Sequence, residues 1–387
     1  MAILKESFCV LTGIGLWRPA EWQGIKGTFY NCYTLLVLLN SITFIISESM
    51  ELIFFNNGIF DFFNNSSMLI TVIGMCGKII TVVSNRGTII EMIERFNGNP
   101  FSPRDNQEKI IHRNFNQMIR FNTLAYIVFF EASVTVYTMG KIFEERPPGV
   151  LPCRAWLPYD YSNNIIIYWL TASQQLLTVV MTANVDIAYD TLFPGMMMQV
   201  CAQVHILKHR FRLTLDALEN VSDDKMDPVM VKTVEKKFFS ECVEYHLEIL
   251  RMIDTMSHVF GPMIFIQYSF SSIALCSSVY ALSQMVPFTP EFFGLSVYIL
   301  CMFFQILYIC MSGDRVTLEF AELSTAMYTT NWFALSNNAQ KYIIIMMISS
   351  INPIVFASGH VVTLSLESFK RLLKLSYTIY NVFQQSS

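Results

Sequence analysis

The chain has 387 residues, 53% of them apolar and only 14% charged, where a soluble globular chain carries roughly 25% charged residues. That deficit points to lipid as the solvent and excludes disordered, collagen-like and disulfide-rich secreted classes. A net charge of −4 speaks against nucleic-acid binding.

A bilayer core takes about 20 consecutive, mostly apolar residues per spanning helix. Windows free of Lys, Arg, Asp and Glu fall in chain order at Phe29 to Ser47, Phe62 to Gly77, Phe121 to Gly140 with Glu131 as its one interruption, Ile165 to Val185, Val259 to Pro290 and Phe292 to Gly313. The first run is too long for a signal-peptide core and no small-residue cleavage site follows it, so it reads as a signal anchor. The last apolar region, Tyr342 to Ser387, holds Lys370, Arg371 and Lys374. If a seventh span begins near Leu366, those cations sit at its cytoplasmic end and the rest of the chain reaches about 33 Å, enough to cross. Leu335 to Ser350 is then a short cytoplasmic helix, parted from the last span at Asn352-Pro353.

Orientation follows from Lys and Arg, which are enriched in cytoplasmic loops. The second loop holds Arg86, Arg95, Arg104, Lys109 and Arg113, and the fourth, from about Asp190 to His258, holds Lys208, Arg210, Arg212, Lys225, Lys232, Lys236, Lys237 and Arg251. The short connections Ser49 to Asp61 and Pro287 to Glu291 hold none, and the third loop adds only Arg146 and Arg154, with Lys141 at its edge. The expected fold is therefore all-α: one polytopic domain over residues 1–387, with seven transmembrane helices, a cytoplasmic amino terminus and an extracellular carboxyl terminus.

The fourth connection is too long to be a turn. Val234, Phe238, Cys242, Tyr245, Ile249, Ile253 and Met256 recur at three- and four-residue steps, the stripe of an amphipathic helix that continues the fifth span into the cytoplasm. Gln203 to Glu219 likewise continues the fourth. Such stripes serve either intramolecular packing or a subunit contact. Of nine cysteines only Cys153 falls in an external loop, so no disulfide framework is expected. The sequons at Asn64 and Asn65 lie at the external mouth of the second span, and Asn220 falls on the cytoplasmic side.

The run Thr363-Leu364-Ser365-Leu366-Glu367-Ser368-Phe369, with Ser376-Tyr377-Thr378-Ile379-Tyr380-Asn381-Val382-Phe383-Gln384-Gln385, resembles the last helix of insect odorant receptors. Gly313-Asp314-Arg315-Val316 and Tyr328-Thr329-Thr330-Asn331-Trp332 resemble the segment that precedes it in that family. Gustatory receptors of the same superfamily, an alternative reading, end with Tyr, five residues, then Gln-Phe. Here the sixth residue after Tyr377 is Phe383 and Gln follows it, which favours the odorant branch.

The resemblance implies a heteromeric ligand-gated, non-selective cation channel in the plasma membrane of olfactory sensory neuron dendrites, in which a tuning subunit joins a common coreceptor in a tetramer. The short cytoplasmic loop resembles the tuning subunit. It further implies that the last helix, 366–387, lines the pore. About 191–258 and 313–350 form the cytoplasmic anchor, and odorants bind among the external halves of spans two to six. On that frame the pore candidates are Tyr377, Tyr380, Asn381 and Gln384, with Val382 and Phe383 beside them, because polar groups on a spanning helix are costly against lipid and suit water or a partner. The ligand candidates are Phe62, Ser66 and Leu69; Phe130, Ser133 and Tyr137; Tyr168, Trp169 and Ala172; and Phe293, Val297 and Tyr298. This soft, aromatic lining without fixed charge suits small, mostly apolar volatile molecules, while for any single residue ordinary helix packing is the plainer reading.

Glu131 near mid-span is read either as a selectivity determinant or as a hydrogen-bonded structural group. Asn352-Pro353-Ile354-Val355-Phe356 and Asp314-Arg315-Val316 resemble signatures of metabotropic seven-helix receptors, the rival reading, yet both sit on the wrong helices. Cys201, His205 and His209 share a helical face but lack a fourth ligand, so no metal is expected. With no phosphate-binding loop or nucleophile constellation, neither an enzyme nor a cofactor is expected. The external acids Glu48, Glu51, Asp61, Glu144, Glu145, Asp160 and Glu291 outnumber Lys141, Arg146 and Arg154 by four, the whole of the net charge. Such a rim would concentrate cations at a pore mouth.

Overall fold

The computed structural model describes residues 3–19, 21–54, 59–143, 151–153, 155–161, 164–223, 228–351, 357–358 and 362–386. Its helices are α1 (Lys5–Gly13), α2 (Ile25–Phe54), α3 (Ile59–Ser84), α4 (Arg86–Asn97), α5 (Asn106–Phe143), α6 (Ile165–Asp223), α7 (Pro228–Gln284), α8 (Pro290–Tyr328), α9 (Asn337–Ile351) and α10 (Leu366–Ser386). A two-stranded antiparallel ladder, β1 (Ala357–Ser358) with β2 (Val362–Thr363), stands before α10. Helices α2, α5, α6, α7 and α8 are each long and apolar enough to cross a membrane, and α3 with α4, bent by 65° at Asn85, adds a sixth. The remaining expected span is α10, whose 21 residues reach about 31 Å. The chain is a multi-pass membrane protein.

The helices run well past the apolar windows. The stretch from Asp190 to His258, expected as a long structured connection, holds the lower half of α6, to Asp223, and the lower half of α7, from Pro228. Likewise α5 begins at Asn106, a full four turns before the apolar window at Phe121, and the loop expected from Ser84 contains α4. Hydropathy ends where lipid ends, whereas a helix ends where its packing and capping end. The α7 stripe shows this: Cys242, Tyr245, Ile249, Ile253 and Met256 are all buried. Phe238 at its edge is exposed while Phe239 is fully enclosed.

The main core lies in this lower half, where α1, α4 and α9 wrap the extended helices. Phe193 packs on Phe260 with ring centroids 5.3 Å apart, and Phe101 meets Tyr245 edge-on at 5.5 Å. Each such ring stabilises the fold by roughly 1.5–3 kcal/mol through burial. Gly77 allows α3 and α7 to approach closely, since a Cβ there would lie 2.7 Å from Met263 Sδ. α1 is held under the bundle by the hydrogen bond between Ser7 and Thr191, 2.9 Å long. The nine cysteines are all free thiols.

Charged side chains staple the lower helices together. Arg210 of α6 grips Glu108 of α5 with Nε 2.7 Å from Oε1 and Nη2 2.8 Å from Oε2. The same guanidinium lies 4.3 Å over the Tyr245 ring of α7. Lys208 joins Glu319 and Glu322 of α8, 2.8 Å from each. Of the face considered for metal, Cys201 is buried, His205 faces Glu319 at 3.1 Å and His209 faces Asp105 at 2.9 Å.

Candidate functional site

Above the lower core, α3, α5, α6 and α8 enclose a layer of aromatic and hydroxyl side chains. Thr71 of α3 shares a 2.9 Å hydrogen bond with Tyr298 of α8. On α5, Phe130 stacks on Tyr126 with centroids 4.1 Å apart, and Tyr126 leans on Tyr308 of α8 at 5.3 Å. Ser133, one turn further out, lies beside Cys301 of α8 and donates to the Phe129 carbonyl at 2.8 Å. Ile187 of α6, fully buried, packs with Tyr126 and Phe130. Helical spacing brings these groups to one place: Tyr126, Phe130 and Ser133 share an α5 face, and Tyr298, Cys301 and Tyr308 an α8 face.

Directly beneath lies a buried polar cluster. Lys78 of α3, 2% exposed, sets its Nζ 2.7 Å from Asp186 Oδ1 and 2.9 Å from Asp190 Oδ1, both on α6. Asp190 is fully enclosed and accepts two further amide hydrogen bonds, from Gln267 Nε2 of α7 at 2.9 Å and from Gln305 Nε2 of α8 at 2.5 Å. The Tyr126 hydroxyl donates to Asp190 Oδ2 at 3.4 Å. One carboxylate thus ties α3, α5, α7 and α8 to α6. Pro194, one turn along α6, has no N–H to give the Asp190 carbonyl, which loosens the helix ladder at this point.

The other expected ligand residues are spread more widely. Ala172 is buried, Ser66, Leu69, Tyr137, Tyr168 and Val297 are half-buried, and Trp169 and Phe293 are 59% and 54% exposed. The side chain of Phe62 lies outside the described residues. Phe130, Ser133 and Tyr298 are the members drawn together around α8. Glu131 is half-buried on α5, and its carboxylate has no partner among the described residues. A segment after residue 150 closes the outer end between α2 and α6. Cys153 and Gln175 exchange hydrogen bonds of 3.0 Å, and the Trp156 N–H donates to the Ser47 carbonyl at 3.1 Å.

The last helix packs by one face. Phe369, Leu372 and Ser376 are buried against α7 and α8, with Phe369 edge-on to Phe303 at 5.0 Å and the Tyr268 hydroxyl donating to the Ser368 carbonyl at 2.7 Å. Tyr377 is 66% exposed and Asn381 half-buried. The side chains of Tyr380, Val382, Phe383 and Gln384 lie outside the described residues, as do Glu144, Glu145, Arg146 and Arg154 of the external rim and the Asn352-Pro353 break.

Sequence reasoning missed Lys78, Asp186, Asp190, Gln267 and Gln305. Each charged member stood at the end of an apolar window and read as the edge of a span. The signal was present nonetheless: Asp186 and Asp190 are one turn apart on a single helix, and ionisable residues beside an apolar run mark functional positions by default.

A profile of the family described as 7tm Odorant receptor matches residues 59–377. Odorant receptor Or1 of Anopheles gambiae is 22% identical, covering 96% of this chain and 92% of its own length. Odorant receptor 46a, isoform A, of Drosophila melanogaster is 21% identical, covering 89% and 87%. Among solved structures, the insect olfactory receptor OR5 from Machilis hrabei in complex with eugenol superposes with a TM-score of 0.83 over 99% of this chain and 98% of that one at 15% identity. The same receptor in a second structure gives 0.85.

Proposed function

The chain belongs to the 7tm odorant receptor family, and from that premise we propose that it is the odorant-binding subunit of a heteromeric ligand-gated, non-selective cation channel. Membership is carried by the family match over residues 59–377. The partner is a coreceptor in a heterotetramer, and the site of action is the plasma membrane of olfactory sensory neuron dendrites. The ligand is a small volatile held between α3, α5, α6 and α8, near Phe130, Ser133 and Tyr298. Support for this placement comes from the aromatic and hydroxyl layer above the Asp190 cluster, and from the fold shared with the Machilis receptor solved with eugenol.

The last helix supplies the pore in this reading. Its packed face, Phe369, Leu372 and Ser376, leaves Lys370, Lys374 and Tyr377 exposed, and a 3.6-residue period carries that open face on to Asn381 and Gln384. Residues 191–258 and 313–350 form the anchor between subunits. Ligand binding favours the open channel because the ligand holds that state more tightly. Co-expression with the coreceptor in a non-neuronal cell tests the proposal. Odorant-evoked current that persists under G-protein blockade is expected; absence of current with every volatile on a broad panel overturns it.

A further inference from the structure

We propose that the odorant site of this chain receives a cationic, hydrogen-bond-donating head group, a protonated primary amine on a small aromatic or aliphatic body, with Asp186 of α6 as the receiving group. The proposal rests on the odorant-site reading above and goes further in naming the ligand's chemistry.

The first argument is charge. Within the cluster Lys78 faces two carboxylates, Asp186 and Asp190, so the negative groups exceed the positive by one. Asp190 is saturated by donors from Lys78, Gln267, Gln305 and Tyr126. Asp186 accepts only from Lys78, through Oδ1, which leaves Oδ2 without a partner among the described residues. Its side chain keeps 17% exposure although it sits between helices rather than on the rim.

The second argument is position. On α3 Lys78 follows Thr71 by two turns, and on α8 Gln305 follows Tyr298 by two turns, so the Asp190 layer lies about 10 Å below the Thr71–Tyr298 layer. On α6 Asp186 precedes Asp190 by one turn, about 6 Å, which lifts it most of the way to that upper layer. It lies within electrostatic reach of the Tyr298 hydroxyl. The carboxylate is therefore the uppermost group of the cluster, at the floor of the aromatic layer.

The third observation concerns a neutral side chain, on α7. Gln267 is 6% exposed, commits its Nε2 to Asp190, and has an Oε1 with no hydrogen-bond partner. Turning the amide over would set oxygen against a carboxylate, so this orientation is imposed by Asp190. A buried acceptor without a donor is costly, and the cluster leaves two acceptors short of one, Asp186 Oδ2 and Gln267 Oε1. An ammonium supplies three donors and the missing positive charge, and the rings of Tyr126, Phe130, Tyr298 and Tyr308 offer faces that attract cations.

The test uses the purified full chain in lipid nanodiscs and two shape-matched series: benzylamine, benzyl alcohol and ethylbenzene; hexylamine, hexanol and heptane. Thermal stabilisation gives a half-saturating concentration for each at neutral pH, where the amines are protonated. The amine of each series is expected to saturate at a concentration at least about tenfold lower than its alcohol or hydrocarbon. Asp186→Asn removes that difference, and Asp186→Glu retains it. The Asn variant is expected to fold, since Lys78 keeps Asp190 and the cluster becomes neutral. Equal half-saturation across head groups, an amine preference that survives in Asp186→Asn, or no stabilisation by any of the six overturns the inference. Currents recorded with the coreceptor separate the two readings. Current without head-group preference sinks the amine site and leaves the channel standing, whereas head-group-dependent stabilisation without current does the reverse.

Discussion

Lys78 of α3 and Asp190 of α6 meet inside the bundle with Nζ 2.9 Å from Oδ1, their side chains 2% and 0% exposed. Removing one partner of such a pair strands the other charge and costs about 3–5 kcal/mol. Lys78→Met leaves two carboxylates facing each other without a cation, so it is expected to abolish folded protein in a detergent-solubilised size-exclusion assay. Asp190→Leu keeps the Lys78–Asp186 pair but orphans Gln267 and Gln305, and a large drop in thermal midpoint is expected. Wild-type stability in both variants would show that the cluster holds nothing together.

Arg210 makes a two-pronged contact with Glu108 and stacks on Tyr245. A lysine restores the charge but neither the fork nor the stacking. Arg210→Lys is therefore expected to lose a substantial part of the about 3–5 kcal/mol that Arg210→Ala loses. Denaturant midpoints of the two variants against wild type measure the split.

Asp105 caps α5, its Oδ1 accepting the Glu108 N–H at 2.7 Å. That backbone bond first, and the His209 ring second, hold its carboxyl below the ordinary value of 3.8. A lowered carboxyl contributes stability above its ordinary value and loses it as pH falls through the lowered one. Asp105→Ala should cost about 1 kcal/mol at neutral pH as a lost cap. Asp105→Asn keeps a capping oxygen, so its deficit against wild type is expected at neutral pH and should shrink in acid unfolding below pH 3.8. A deficit independent of pH would remove the charge from the explanation.

A Cβ on Gly313 of α8 would lie 2.5 Å from the Leu364 carbonyl oxygen and 2.6 Å from Leu364 Cβ. Both atoms belong to the buried Leu364, and backbone and Cβ leave nothing flexible to yield. Gly313→Ala is expected to cost about 1–3 kcal/mol and to displace the segment that leads into α10. Reduced thermal stability together with altered channel gating is the expected result; an unchanged melting profile would show that the segment can move aside.

Asn381 and Gln384 are the pore residues of the proposed channel. Replacing either with a charged residue is expected to change the relative permeability of the channel to monovalent cations, read as a shift in reversal potential under bi-ionic conditions. Unchanged permeability for both would take the pore to another face.

Much of the architecture was legible in composition and periodicity. The apolar windows located α2, α3, α5, α6, α7 and α8, because lipid selects against charge at every exposed position of a span. The stripe from Cys242 to Met256 announced the lower half of α7, since a buried helical face has to recur with the helical period. The short helix expected at Leu335 to Ser350 stands as α9, Asn337–Ile351. Helix ends were not legible. Charged residues near a boundary look alike in sequence whether they face water, as Arg371 does, or a buried partner, as Lys208 does.

What the sequence determined by itself was the solvent, the helical class and the odorant-receptor resemblance, each a property of short windows or a local motif. What only the tertiary structure decided was the meaning of Lys78, Asp186 and Asp190. Lys78 on α3 stands 108 residues from Asp186 and 112 from Asp190 on α6, and in sequence all three read as span edges. Only when the helices pack do they become one buried cluster, because the low dielectric between helices forces charges to find each other and turns three span edges into one polar knot.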